Sequence, residues 1–380
     1  MDLEERPKCP ECGGDIQINS KYWRSVKHLR LFDYRTVIKL KCYQVKCKDH
    51  GLKTITCSLA KKGNSTSNML RRYIYEMNKI LQEKYVSKYF GVSPDTVKRI
   101  DKEFIRKKMK TRSLSPEIIG LDELSIGDGQ TNYIHILSDI GDKEVIDIGE
   151  GRKQKDVDKT IESNKSVLGN VKFAVMDMWE AFANSIKKLS DDISIIFDKF
   201  HIVKKLNKAI DELRKTIKKK ATGREREAII GKKYILLSRK ENLSEKGETR
   251  LSELEKLNKP LYKAYLLKEK FFKFWKYKTK GWAKRFFNKW KEEVEKHNLK
   301  DLLSFTETIE NNSKGVYNYF APDQSFSMGY VEGVNNKARH LINRGYGYND
   351  KKYLFLKIIQ QCSESMKYFN IDNVHKENFP

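Results

Sequence analysis

The sequence lacks any long hydrophobic run. No apolar stretch approaches the ~20 residues that a membrane-spanning helix needs. The N-terminal residues MDLEERPKCPEC contain no apolar core like that of a signal peptide. We therefore expect neither a membrane protein nor an exported one, and we predict a cytoplasmic location.

Acidic residues are scarce relative to basic ones. The 77 Lys and Arg outnumber the 51 Asp and Glu, which gives the 380 residues a formal net charge of +26. A charge of this size favours a polyanionic partner, most often nucleic acid, although a solvated basic surface is the alternative. A hydrophobic content of 39% can fill a core, so a disordered chain is excluded.

Cysteine is also scarce, and it is unevenly distributed. Six cysteines in 380 residues favour metal binding over a disulfide framework. Four of them form two pairs near the N-terminus, Cys9 with Cys12 and Cys42 with Cys47. Two such pairs can close a tetrahedral site, so we predict a structural Zn²⁺ in a zinc ribbon. The second pair is spaced more widely, and His50 could replace one thiolate; four unrelated buried thiols are the alternative.

A helix-turn-helix is predicted after the cysteine-rich region. A short helix leads to a turn at Gly91, and Ser93 and Pro94 suit the N-cap and first position of a second helix. A helix–Gly–helix hairpin without a DNA-binding role is the alternative. The residues expected to face DNA from the second helix are Thr96, Lys98 and Arg99.

From Pro116 onward the pattern changes to strands. The alternating segments IIGLDELSI, NYIHILSDI and VIDIGEGR are joined by short turns, which predicts an antiparallel meander. A helix, the strand VKFAVMD, a second helix and the strand ISIIFDKFH follow. This order is the layout of a ribonuclease-H-like α/β fold. Residues 203–313 carry no strand signal and few glycines or prolines, which predicts a large all-helical insertion.

Four segments, together with the cysteine pairs and the helix-turn-helix, resemble the ISL-three family of bacterial DDE transposases. They are GLDEL, VMDMWEAF, FDKFHIVKKLNKAIDELR and YVEGVNNKARHLINRGYGY. The resemblance covers nearly the whole chain. It implies a nucleoid-associated enzyme that cleaves the ends of an insertion sequence and joins their 3′-hydroxyls to target DNA. Two Mg²⁺ ions, or Mn²⁺ in their place, would serve each active site. We expect double-stranded DNA as the partner and a homodimer or higher oligomer on it.

The resemblance and strand geometry together select the catalytic acids. In ribonuclease-H-like folds the first strand is central and the fourth pairs beside it. Asp122 and Asp177 would then lie on strands ~4.8 Å apart and could share metal ions, whereas Asp198 would lie one strand further, at ~10 Å. We therefore predict Asp122 and Asp177 as catalytic metal ligands. Asp177 also suits a helix N-cap.

The third acid is expected from a helix packed against the sheet. Glu332 shares one helical face with Asn335, Asn336 and Arg339. This stripe suits a metal-and-phosphate site, with Glu332 as the third metal ligand and Asn336 and Arg339 as accessory residues. A plain solvated face is the alternative.

Two further pairs of residues receive accessory or binding roles. Several transposase groups carry a D-x-x-H pair at the place of Asp198 and His201, which implies that these residues assist the site; a structural hydrogen bond from His201 is an equal alternative. The segment NRGYGYND contains Arg344 and Tyr346, which are expected to contact DNA through phosphate and base stacking. A helix-ending loop is the alternative.

The helical insertion contains a segment that mixes basic and aromatic residues, YKAYLLKEKFFKFWKYKTKGWAKRFFNKW. We interpret most of its aromatics as core and its lysines as facing DNA. A nuclease or resolvase on the same fold, and a non-catalytic repressor, are the rival functions; the presence of all three acids disfavours the repressor. The predicted ranges are 1–60 for the zinc ribbon, 61–112 for the helix-turn-helix, 113–202 for the first part of the core, 203–325 for the insertion and 326–380 for the C-terminal helices that complete the core.

Overall fold

The chain divides into two compact units. The computed structural model describes residues 8–55, 58–126, 132–320, 329–344, 350–370 and 372. The first unit combines Met1–Ser113 with His340–Pro380, and the second unit is Leu114–Arg339.

The first unit begins with a three-stranded antiparallel sheet. Its strands lie in the order β1 (Gln17–Lys27), β2 (Val37–Cys47) and β3 (Gly51–Ile55). The β1–β2 hairpin is long, pairing Gln17 with Lys46 at one end and Lys27 with Val37 at the other. The short connection from β2 to β3 therefore lies beside the start of β1, close to the N-terminal cysteine turn.

Two helix boundaries of the first unit lie where the sequence predicts them, at Gly91 and at Ser93. Ser93 Oγ accepts a hydrogen bond from Thr96 N at 3.2 Å, Pro94 occupies the first turn of α3, and Gly91 ends α2 with φ +64°. That positive φ is the left-handed region, in which glycine is the least strained residue. The helices are α1 (Asn68–Ile80), α2 (Glu83–Phe90), α3 (Pro94–Thr111), α15 (Lys351–Cys362) and α16 (Glu364–Lys367).

A buried polar network joins α1, α3 and α15. The Asp101 carboxylate is fully buried. It accepts hydrogen bonds from Asn78 Nδ2 at 2.7 Å, Tyr353 Oη at 2.8 Å, Lys357 Nζ at 3.0 Å and Gln360 Nε2 at 3.3 Å. Helix α15 is thus fastened to α1 and α3 by a satisfied charge as well as by apolar contact.

The second unit contains a five-stranded mixed sheet in the order β6-β5-β4-β7-β8. The pairs β4–β5 and β5–β6 are antiparallel, whereas β4–β7 and β7–β8 are parallel. This is the predicted element order, with β4 central and β7 beside it. The strands are β4 (Ile118–Ser125), β5 (Tyr133–Asp139), β6 (Glu144–Glu150), β7 (Phe173–Met176) and β8 (Ser194–Phe197), with α4 (Gln154–Ser163) and α5 (Glu180–Leu189) between them.

The two faces of this sheet have different partners. Ile119, Leu121 and Met176 belong to the main core, which continues into the helical insertion. On the opposite face, Val175 and Ile196 contact Val331 of α14 (Gly329–Arg344). Helix α14 approaches closely because Gly120 has no side chain: a Cβ there would lie 2.6 Å from Val331 Cγ2.

The insertion is helical throughout its described residues, as predicted. Its basic–aromatic segment forms a core: Phe271 and Trp290 are buried with ring centroids 4.9 Å apart, while Trp282 is an exposed exception. No helix of the described chain is long and apolar enough to cross a membrane. The helices are α6 (Lys199–Lys220), α7 (Gly223–Ile229), α8 (Lys233–Leu237), α9 (Glu245–Leu257), α10 (Lys259–Phe271), α11 (Lys280–Lys296), α12 (Lys300–Asn311) and α13 (Ser313–Asn318).

Candidate active site and metal centre

Three acids follow one another across neighbouring parallel strands. Leu121 of β4 pairs with Met176 of β7, and Met176 pairs with Phe197 of β8. The next residue along the chain is Asp122 within β4, Asp177 directly after β7 and Asp198 directly after β8, so the acids form a row with ~4.8 Å between neighbouring strands. The register therefore gives Asp122 and Asp177 adjacent positions and Asp198 the far one.

Asp122 is buried beneath α14. It is 7% exposed, and its carboxylate accepts hydrogen bonds from Asn335 Nδ2 at 2.5 Å and from Glu123 N at 2.8 Å. Burial raises the pKa of Asp122 above its usual value, and the nearby Asp177 adds to the rise, while His201 and the two donors oppose it. Low exposure and neighbouring negative charge are the conditions under which a carboxylate gains most from a bound cation.

Asn335 is a residue whose role the sequence did not single out. It is 5% exposed, and its Oδ1 has no hydrogen-bond partner among the described residues although it is buried beside Asp122. A buried amide oxygen without a partner is costly, and amide oxygens are suitable partners for hard cations and their bound water. Its position in the polar stripe of α14 was visible, but only the packing of α14 on the sheet turns it toward Asp122.

His201 lies between the other two acids of the row. Its Nδ1 is 2.9 Å from Asp198 Oδ2, and its Nε2 is 3.9 Å from Asp177 Oδ2. Burial lowers the pKa of His201, but the hydrogen bond with Asp198 and the charges of Asp177 and Asp122 outweigh burial and raise it. Asp198 uses its other oxygen to cap α6, accepting from Phe200 N at 3.1 Å. Both Asp198 oxygens are thus engaged in holding α6 and the imidazole.

The polar stripe of α14 divides between two environments. Asn335 faces the sheet, whereas Glu332, Asn336 and Arg339 are exposed. Arg339 Nη1 donates to Asn336 Oδ1 at 3.0 Å. Within the described part of the chain, no three acidic side chains bring their oxygens within 4.8 Å of one another. Glu332 therefore lies on the helix that covers Asp122 but does not form a compact triad with Asp122 and Asp177 here.

A second candidate metal centre lies near the N-terminus. One ligand atom from each of four residues falls within 4.8 Å of the others: Cys9, Cys12, Cys47 and His50. His50 Nδ1 is 3.7 Å from Cys47 Sγ and 3.9 Å from Cys9 Sγ. The hydrogen bond with His50 lowers the pKa of the Cys47 thiol to about 6, which favours the thiolate that a metal requires. Three sulfurs and one imidazole are a donor set that suits structural Zn²⁺.

The expected fourth thiolate, Cys42, is not part of this group. Cys42 and Cys47 lie on the same continuous strand β2, not on the two sides of a hairpin turn. Five residue steps along the strand separate them by ~17 Å and turn their side chains to opposite faces. The turn comes after Cys47 and carries His50 to the site, so the imidazole replaces the Cys42 thiolate in the group.

The face of α3 that was expected to meet DNA is basic but partly engaged. Thr96 Oγ1 lies 2.9 Å from Ser93 Oγ, Lys98 Nζ lies 3.1 Å from Asp350 Oδ2, and Arg99 is exposed. The hydrogen bond from Lys102 is the largest cause that lowers the pKa of Asp350. The face borders a cleft of 690 Å³ whose basic residues are Lys98, Arg99, Lys102, Arg106, Lys107 and Lys110.

The other two residues expected to contact DNA are Arg344, the last residue of α14, and Tyr346. Arg344 is exposed, and its Nη2 donates to Ile80 O at 3.1 Å within the first unit. Tyr346 lies outside the described residues.

Comparison with known proteins identifies relatives along almost the whole chain. Residues 119–358 match a family model described as a transposase of the DDE type, in the ISL-three group. Residues 5–50 match the zinc-finger of the transposases IS204, IS1001, IS1096 and IS1165. The chain is 26% identical over 359 residues to the transposase for insertion sequence element IS1001 of Bordetella parapertussis, with 92% of this chain and 87% of that protein covered.

Proposed function

The chain belongs to the ISL-three family of DDE transposases, and from this premise we propose that it binds the ends of its own insertion sequence, cleaves them and joins their 3′-hydroxyls to target DNA. The observation that carries the proposal is the row of acids. Asp122 and Asp177 follow paired positions on adjacent parallel strands, and Asp122 is held there by Asn335. The strand order also supports a ribonuclease-H-like core.

The donor set of the row fits divalent cations of the Mg²⁺ type. Asp122 and Asp177 offer carboxylate oxygens, and the unpartnered Asn335 Oδ1 offers an amide oxygen or a partner for bound water. Glu332, on the exposed side of α14, is the proposed third carboxylate. A pair of bound Mg²⁺ ions would supply activation of the attacking oxygen and stabilisation of the leaving oxygen.

The side chains around the row position these ligands. Asn335 Nδ2 holds the Asp122 carboxylate in one orientation. Burial of the carboxylate keeps water away from those of its lone pairs that accept no hydrogen bond. His201 is oriented by Asp198 and lies beside Asp177, where its protonated form would carry a positive charge that can neutralise phosphate. Asp198 thus acts through His201, as an accessory residue.

We assign DNA recognition to the first unit. The Cys9–Cys12–Cys47–His50 group would hold Zn²⁺ and stabilise the small ribbon. Helices α2 and α3 would form the helix-turn-helix, with Arg99 and the basic face of α3 toward DNA. A dimer or higher oligomer on DNA is part of the proposal, because two ends must be processed together.

The test is cleavage of a labelled DNA end by four variants of the full chain. Asp122→Asn, Asp177→Asn and Glu332→Gln should abolish Mg²⁺-dependent cleavage and retain DNA binding, since binding depends on basic residues. Asp198→Asn should be milder and retain cleavage with Mn²⁺.

Asp192→Asn is the matched control, because Asp192 is an exposed acid away from the row. Normal cleavage by Asp177→Asn with a dead Asp198→Asn would transfer the second catalytic role to Asp198. A strand-transfer assay with the wild-type chain separates a transposase from a nuclease on the same fold, since a nuclease would cut without joining.

A further inference from the structure

A cleft of 540 Å³ opens directly beside Asp177 and His201. Helix α6 forms one wall of it, and Lys233 and Leu237 of α8 contribute to another. Three of its lysines, Lys204, Lys205 and Lys208, follow His201 on the first half of α6. We call the space bordered by these three residues the lysine cleft.

The three lysines of the lysine cleft are not paired within the described chain, although the acids Asp177, Asp211 and Glu212 also line the cleft. Lys204, Lys205 and Lys208 form no ion pair or hydrogen bond there, although Lys204 and Lys208 occupy successive turns of one helix. Further along the cleft, Lys215 is paired, at 3.2 Å with Asp211 and 2.8 Å with Glu212. Like charges on successive turns repel each other, so an anionic ligand would stabilise the first half of the cleft.

The helix itself does not explain this cluster. The same helix ends in Lys218, Lys219 and Lys220, whose charges are favourable beside the partial negative charge of a helix C-terminus. The lysine cleft is closer to the N-terminus of α6, where the macrodipole gives cations no such stabilisation. A helix that places unpaired cations there, beside a row of acids, is arranged for a bound anion.

The dimensions fit the backbone of a nucleic acid strand. A rise of 1.5 Å per helical residue separates Lys204 from Lys208 by ~6 Å, and His201 from Lys208 by ~10 Å. Since one strand of a duplex advances 3.4 Å per nucleotide along the duplex axis, these lengths correspond to an axial advance of about two to three nucleotides. Asn207 also lines the cleft, and its buried Oδ1 has no hydrogen-bond partner within the part of the chain that the structure describes. That acceptor suits a base amino group or an ordered water, which a bare inorganic anion would not supply.

We propose that the lysine cleft binds the backbone phosphates of the cleaved DNA strand next to the scissile bond, and so sets which phosphate reaches Asp122 and Asp177. The inference rests on the proposed function, because it takes Asp177 as part of the active site. Lys204, Lys205 and Lys208 act as substrate-binding residues, and they bind through charge without reading bases.

The test compares two triple variants of the full chain, each of which removes three positive charges from α6. Lys204→Gln/Lys205→Gln/Lys208→Gln empties the lysine cleft, and Lys218→Gln/Lys219→Gln/Lys220→Gln is the matched control. The probe is a duplex that carries a terminal sequence of the element encoding the chain. Its affinity is measured between 50 and 200 mM salt, and its Mg²⁺-dependent cleavage is measured at saturating protein. Circular dichroism and thermal unfolding check that both variants fold.

We expect the slope of log affinity against log salt concentration to become less negative in the cleft variant, by about 0.9 for each lost phosphate contact. Cleavage at saturation should fall by about tenfold or more, because a misplaced scissile phosphate reacts slowly even when bound. The control variant should change the slope by less than one such step and cleavage by less than about twofold.

Three outcomes separate the two levels of the argument. A wild-type chain that binds the ends and cleaves nothing would overturn the proposed function. A wild-type chain that cleaves, with a cleft variant equal to wild type, would overturn the lysine cleft alone. Equal losses in both triple variants would also overturn it, because the effect would then follow total charge and not the position beside Asp177.

Discussion

The buried network of the first unit makes a sharp prediction about the ammonium group of Lys357. It donates to Asp101 Oδ2 at 3.0 Å, to Asn78 O at 3.0 Å and to Gln360 Oε1 at 2.6 Å. Lys357→Met keeps most of the side-chain length and removes the charge. Asp101, which is fully buried, then keeps its carboxylate without the only cation paired with it among the described residues.

The expected loss can be worked from these contacts. Breaking a buried ion pair by removing one partner costs about 3–5 kcal/mol. The carboxylate keeps its donors Asn78, Tyr353 and Gln360, which favours the lower end of that range. For a unit of this size about 1 kcal/mol shifts Tm by 2–4 °C, so we expect the transition of this unit to fall by about 6–12 °C.

Differential scanning calorimetry of the full chain measures the shift. Lys352→Met is the control, because Lys352 is an exposed residue of the same helix; its Tm should change by less than about 2 °C, as for an ordinary surface substitution. Adding Asp101→Asn to Lys357→Met should restore part of the loss, since a neutral amide no longer needs the ammonium. Equal shifts for Lys357→Met and Lys352→Met, or no recovery in the double variant, would refute the reasoning.

Two further predictions concern the two candidate metal sites. Purified protein should contain one Zn²⁺ per chain, and metal analysis should find it lost in Cys47→Ser and His50→Ala but retained in Cys42→Ser; loss in all three would return Cys42 to the ligand set. Asn335→Leu should slow cleavage about 10–100-fold and raise the Mg²⁺ concentration at half-maximal rate, as removal of a residue that orients a ligand does. Titration of Mg²⁺ against Asn242→Leu, an exposed asparagine of the insertion, is the comparison, and equal behaviour of the two variants would contradict the role of Asn335.

The strand order of the sheet could be predicted from the sequence because each strand and each turn is determined by residues that are close together in the chain. Alternating segments with short turns leave few ways to pair β4, β5 and β6, and an apolar run after a helix must return parallel to a buried strand. Once β4 is central and β7 adjacent, the positions of Asp122 and Asp177 follow from the register. The helix boundaries at Ser93 and Gly91 were equally local, since a hydroxyl cap and a left-handed residue act within one turn.

The ligand sets could not be predicted with the same accuracy, because they depend on where strands end and which face a helix buries. The sequence pairs Cys42 with Cys47 as two thiolate ligands, but β2 continues from Cys42 to Cys47 without a turn. The turn that follows Cys47 therefore supplies the remaining ligand of the N-terminal site. On α14, Asn335 and Asn336 are neighbours in one polar stripe, and the choice between them is made by the contact of Val331 with the bare backbone of Gly120. Neither the length of β2 nor the contact between Val331 and Gly120 can be recognised from a short stretch of sequence.

Lys357 of α15 shows how much a single charged residue in an apolar helix can predict about tertiary structure. Lys357 stands in the apolar run YLFLKIIQQC, and a lysine in such a helix needs a buried partner because an unpaired charge is costly there. That Lys357 needs a buried acidic or polar partner can therefore be predicted from the sequence. The identity of the partner is not, since Asp101 is 256 residues away and other acids satisfy the same requirement on paper. Pairing is decided when α1, α3 and α15 pack together, which makes α15 part of the structure that supports the basic face of α3.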